Sequence, residues 1–123
     1  MRYFSVSEAN DLLPQLKPIV ADLLAMRARV VRSRHALGPI LDDLISDVGG
    51  RVASEMALDF IEIERLAAEV QSHGCVIKDL NAGLLDFPSR RNGRDIYLCW
   101  RYGEDEITHF HDVNAGFQGR QPV

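Results

Sequence analysis

The 123 residues suffice for one domain, and 46% hydrophobic with 26% charged side chains is an ordinary globular composition. A formal charge of −4 argues against a general nucleic-acid or anionic-membrane binder. The opening MRYFSVSEAN has no apolar signal core and no run approaches the ~18 apolar residues of a membrane span, so a cytoplasmic protein is expected, with Cys75 and Cys99 kept as thiols.

Ser5-Val6-Ser7-Glu8 has the S-x-x-E form of a capping box, Ser5 being the N-cap. Leu12, Leu16, Ile19, Leu23, Met26, Val30 and Leu37 then mark one apolar stripe of a helix reaching about Ala36. Pro14 and Pro18 each remove a donor and crowd the carbonyl four residues back. They predict a short helical turn, a kink over residues 13–18, and a long helix from about Pro14 to Gly38-Pro39. Ile40, Leu41, Leu44 and Ile45 suggest a short helix in the connection, ended by Gly49-Gly50.

The second long helix carries Val52, Met56, Phe60, Ile63, Ala67 and Val70 at the same spacing and stops at Gly74. An antiparallel pair sets Arg27, Arg29, Arg32 and Arg34 near its N-terminal half, within a segment, 51–74, that holds five acidic and two basic side chains. The cluster reads as an interhelical or solvated charged face. Val20, Val31, Ile61 and Leu66 lie beside the stripes, so the helices need a second cover. The sheet supplies part of it, and self-association as a homodimer the rest.

After Gly74 the apolar period becomes two. Residues 76–80, 84–87, 95–102 and 107–112 read as strands, with Asn92-Gly93 a two-residue hairpin turn and Gly103-Glu104-Asp105-Glu106 the next turn. The fold expected is α+β: a helical hairpin over about 5–73, a small antiparallel meander over about 75–113, and an irregular tail at 114–123.

Phe4-Ser5, Glu8-Ala9-Asn10 and Leu12-Leu13-Pro14 at one end resemble the opening of an uncharacterised prokaryotic family, the domain of unknown function 2203. Lys78-Asp79, Gly83-Leu84-Leu85-Asp86-Phe87-Pro88, Gly93-Arg94, Leu98-Cys99-Trp100, Gly103-Glu104, His111 and Gly116-Phe117-x-Gly119-Arg120 resemble its C-terminal half. Phe110 departs from the pattern, in which a Trp often precedes the histidine. The resemblance implies a small bacterial helix-plus-hairpin protein and no particular reaction.

Chemistry-bearing groups concentrate in the last 40 residues. If Gly103–Glu106 closes a two- or four-residue loop, Trp100 faces His109, Leu98 faces His111 and Cys99 faces Phe110. Alternation then puts Cys99 on the face opposite both histidines, beside Trp100, as a buried thiol rather than a nucleophile. His109 and His111 project from one face about 6–7 Å apart, a spacing that a divalent metal (Zn, Fe or Mn) can bridge. Asp86 and Glu104 are the first choices for further ligands; Asp79, Asp112 and His73 are others. The reading that outweighs a metal is that the two histidines stack beside Trp100 and hydrogen-bond to Asp or backbone groups.

Arg90, Arg91 and Arg94 surround one turn, as a phosphate or RNA site would require, or as a solvated loop would tolerate. Arg120 is expected to fold back onto Asp86 or Asp112, or to join the Arg90–Arg94 ligand-binding set. Three functions follow in order: a non-enzymatic interaction or assembly module that self-associates through its helices, a metal-binding protein or metal-dependent enzyme, and an RNA- or phosphate-ligand binder.

Overall fold

The computed structural model describes residues 2–37 and 49–123. The short helix expected at 40–45 lies outside these residues, as do the side chains of Arg34, Leu37 and Val52. Two helices, α1 (Val6–Leu37) and α2 (Gly49–Ser72), precede five strands: β1 (Val76–Asp79), β2 (Leu84–Arg91), β3 (Arg94–Arg101), β4 (His109–Asp112) and β5 (Gln121–Pro122). The strands form one antiparallel sheet in the order β1-β2-β3-β4-β5. The fold is α+β.

The capping box forms in both directions. The Ser5 amide donates to Glu8 Oε1 at 3.0 Å, and the Glu8 amide donates to Ser5 Oγ at 3.1 Å. These two bonds, backbone first, hold the Glu8 carboxyl below its ordinary range. The expected interruption into a short turn and a separate long helix does not occur, since α1 is one element through Pro14 and Pro18. Both prolines are exposed and four residues apart, hence on one face. The carbonyls they leave without a helical donor, those of Asn10 and Pro14, therefore lie on the solvent side of the helix, where water is available. Gly49 and Gly50 open α2.

The buried stripe of α1 is Ala9, Leu13, Leu16, Val20, Leu23 and Val30, which keeps Leu16, Leu23 and Val30 of the stripe read in the sequence. Leu12, Ile19 and Met26 are half-buried on its flank. Two adjacent faces of α1 are covered because α1 lies between the sheet and α2. The sheet presents Leu85, Phe87, Ile96, Leu98, Trp100 and Phe110 to this core, and α2 adds Leu66 and Val70. On α2, Phe60 is not in the core stripe but 51% exposed. Its neighbour Asp59 takes the inward position instead, paired with Arg29 at 3.3 Å. Of the four extra apolar residues, Val20 and Leu66 are buried, whereas Val31 and Ile61 are exposed.

Two turns fix the meander. Arg91 pairs with Arg94 across Asn92-Gly93, whose φ values of 54° and 76° are those of a type I′ turn. Gly83 sits at φ 65° where the chain crosses β3, and its carbonyl accepts the Tyr102 amide at 2.9 Å. A Cβ on Gly83 would fall 2.8 Å from Tyr102 Cβ. Pro88 is tolerated in β2 because β1 does not reach it. On that edge its carbonyl accepts only the Phe4 amide, at 2.8 Å.

Two substitutions test this reading by thermal or denaturant unfolding. Ser5→Ala costs about 1 kcal/mol through the lost cap. Gly83→Ala costs about 1–3 kcal/mol from the left-handed conformation alone, and more from the clash with Tyr102. A Gly83→Ala protein as stable as the parent would refute the close approach.

Candidate functional site

Residues directly opposite each other in an antiparallel pair share a face of the sheet. The observed partners are Asp86↔Cys99↔His109 and Pro88↔Tyr97↔His111. These rows lie on the face away from the helices, opposite Phe87, Leu98 and Phe110. The expected register is therefore wrong by one residue: Cys99 faces His109 rather than Phe110, and Tyr97 rather than Leu98 faces His111. Trp100 points into the core and packs with neither histidine. His111 instead stacks obliquely on Tyr97, with ring centroids 5.6 Å apart.

The register differs because β3 and β4 are joined not by a tight turn but by residues 102–108. Four ties shape that loop. Glu104 accepts the Arg101 amide on Oε1 (2.7 Å) and the Trp100 Nε1–H on its carbonyl (2.9 Å). From α1, Asn10 Oδ1 accepts the Ile107 amide (2.7 Å), and Lys17 Nζ donates to the Asp105 carbonyl (2.9 Å).

On the outer face, His111 Nε2 lies 3.0 Å from Asp86 Oδ1, with side-chain exposures of 2% and 5%. His111 Nδ1 lies 2.8 Å from the Asp112 carbonyl. A carbonyl only accepts, so Nδ1 carries a proton. The Asp86 contact then needs one more proton, held between carboxylate and Nε2, and both imidazole nitrogens are occupied. Beside this pair, Arg120 Nε donates to Cys99 Sγ at 3.1 Å, and Arg120 Nη2 donates to both Glu104 oxygens at 3.0 Å. Arg120 thus pairs with Glu104, not with Asp86 or Asp112. The tail is not wholly irregular: a short 3-10 turn (Phe117–Gly119) leads into β5, which pairs with His109 and Phe110.

Burial pushes the Cys99 thiol up, and the Arg120 hydrogen bond offsets only part of that. Cys75, buried and donating to the Val70 carbonyl, is pushed up to about 11 by burial. Both thiols are therefore protonated at neutral pH, the wrong state for nucleophilic attack.

The four residues proposed as metal ligands are only partly assembled. Asp86 meets His111, Glu104 holds Arg120, and His109 Nδ1 lies 2.8 Å from Thr108 Oγ1. Asp79 caps the β1–β2 turn through the Asn81 amide, and Asp112 pairs with Arg94 at 3.6 Å. Among the described residues, no group of three or more His, Cys, Asp or Glu side chains is placed to hold a metal ion. The arginines do not converge either. Arg90 lies over Tyr3 and bonds Asp95 (3.0 Å), while Arg91 lies over Phe110 on the other face. A cleft of about 230 Å³ lined by Lys17, Trp100, Tyr102 and Glu104 lies at the loop, away from Asp86 and His111.

The Asp86–Cys99 adjacency and the Arg120–Glu104 tie escaped sequence reasoning. The first follows from the Asn92-Gly93 turn once its register is counted back from Arg91↔Arg94 to Asp86↔Cys99, whereas no local motif encodes the second.

Fold and site define a helical hairpin on a five-stranded meander whose outer face is closed by a buried polar network. The chain matches the family described as "Uncharacterized conserved protein (DUF2203)" over residues 2–123, and it belongs to that family. No curated protein and no solved structure matches it.

Two outcomes test the site. Asp86→Ala strands a buried imidazole and costs about 3–5 kcal/mol, whereas Asp86→Asn, whose amide can donate to Nε2, costs clearly less in denaturant unfolding. Equal losses would show that the pair is not a shared-proton contact. The thiols supply the second. Native protein reacts slowly with a thiol reagent at pH 8, while unfolded chain reacts at both cysteines. Since burial raises both thiols, their contribution is full below the ordinary thiol range and declines as pH rises above it, for Cys75 through about 11. A melting temperature that rises over that window would contradict the assignment.

Proposed function

We propose that this protein is a small cytosolic bacterial interaction module that works by self-association through its helices. The observation that carries the reading is on α2, where Leu58, Phe60 and Ile61 are 64%, 51% and 60% exposed within a single turn. Leu66 and Val70 of the same helix meanwhile fill the core. Apolar groups on opposite sides of one helix call for cover on both. The outer face of the sheet supports the same reading from the other direction. Asp86 bonds His111, Arg120 bonds Cys99 and Glu104, the Cys99 thiol is protonated, and every buried side-chain polar atom among the described residues has a partner. Among these residues, no helix is long and apolar enough to cross a membrane, so a bilayer-spanning role for α2 has no support.

Sedimentation velocity across a concentration series tests the proposal. Parent protein forms dimers, and Leu58→Asp or Ile61→Asp gives monomers with an unchanged circular-dichroism spectrum. A parent that stays monomeric to high concentration would overturn it.

A further inference from the structure

The geometry points to a strap: residues 113–123 open as a unit and uncover Cys99 while the rest of the fold stays closed, with the Arg120–Glu104 fork as the clasp. This device is independent of self-association through α2. The helices pack on the opposite face of the sheet, so Cys99, 2% exposed, owes its cover to neighbouring strands and to this segment. Counting back from His109↔Pro122 and Phe110↔Gln121 sets Arg120 opposite His111, on the outer face. From there its side chain crosses β4 to reach the Cys99 thiol on β3 and Glu104 in the loop beyond.

The segment is lightly attached. Among its described side chains none is buried, so release forfeits little apolar contact. Its strand, β5, is two residues long, supplemented by the Val123 amide on the Thr108 carbonyl at 2.9 Å. Its turns are local: the Ala115 amide bonds the Asp112 carbonyl, and the Gly119 amide bonds the Gly116 carbonyl. The fork is its strongest tie. The Arg120 and Glu104 side chains are 16% and 28% exposed, sheltered enough for charge-assisted bonds and close enough to water to be solvated once they part. β4, in contrast, buries Phe110 and His111, so the opening stops at its end. Segments with few buried contacts are the ones that open locally.

Opening leaves Asp86 and His111 paired, because they sit on β2 and β4. It takes from Cys99 both its cover and the Arg120 N–H. A thiol withheld in the closed protein becomes available in proportion to the open fraction, which is set by how firmly Arg120 grips Glu104.

Alkylation of the full chain with iodoacetamide at pH 8, resolved by mass spectrometry into Cys75 and Cys99, tests this. A local opening exposes little surface, so low urea leaves the Cys99 rate nearly flat, while the Cys75 rate climbs steeply with unfolding of the core. Arg120→Ala raises the Cys99 rate roughly tenfold, since labelling follows the open population. Hydrogen exchange of the Val123 amide speeds up by the same factor. A Cys99 rate as urea-sensitive as that of Cys75 would overturn the strap, and the parent alone decides this even where Arg120→Ala does not fold. An unchanged Cys99 rate in Arg120→Ala would overturn the clasp. Faster Cys99 labelling with unchanged Val123 exchange would do so too, because Arg120 would then act on the thiol and not on the strap.

Discussion

The outer face of the sheet depends on Glu104. This one residue takes the Trp100 indole on its carbonyl, the Arg101 amide on its carboxylate, and the Arg120 guanidinium on both carboxylate oxygens. The first two bonds hold the end of β3 and shape the loop that sets where β4 begins. The third returns the tail to the same place. Because alternation is strict, the register of β4 decides where its histidines go: one residue either way would send His109 and His111 into the core and leave Asp86 without its partner. A carboxylate at this turn therefore acts as a structural ruler for β4, bringing His111 to the Asp86–Cys99 row that the Asn92-Gly93 turn has already set.

The closed network is costly to bury and returns its cost only when complete. Asp86 and His111 hold a proton between them with no access to water, and removing either partner leaves a buried polar group. Arg120 spends one N–H on a neutral thiol and another on Glu104. These groups resemble catalytic machinery by composition, since acid, imidazole and thiol stand side by side. By bonding they resemble a latch. The helices, in contrast, end with surface uncovered, and that difference is why function is sought on α2.

Much of the fold was legible. The capping box, the Asn92-Gly93 turn, both helices and four of the five strands rest on local chemistry that the sequence displays directly. What was not legible depended on distant contacts. The prolines suggested that the helix would be interrupted, yet both fall on the exposed face of α1 and the helix runs through them. Phe60 fits the apolar period of α2, yet Asp59 takes the inward place because Arg29 is opposite it. The register of β4 is set partly by Asn10 and Lys17, 97 and 88 residues away from Ile107 and Asp105. No pattern within residues 95–112 carries that information, so Cys99 and the histidines were assigned to opposite faces.

The Asn10–Ile107 bond also bears on how the chain acquires its structure in time. β2 and β3 close over a two-residue turn, so their pairing needs little loop entropy and is available early. Register at β4 waits on α1, because the amide of Ile107 finds its acceptor only after a loop of nearly the whole chain has closed. The two pairings thus need loops of very different length to close, a difference that φ-values at Asn10 and at Leu98 would read directly. A slip by one residue at β4 would expose Phe110 and bury the histidines, so the Asn10 contact guards the register of a strand it does not belong to.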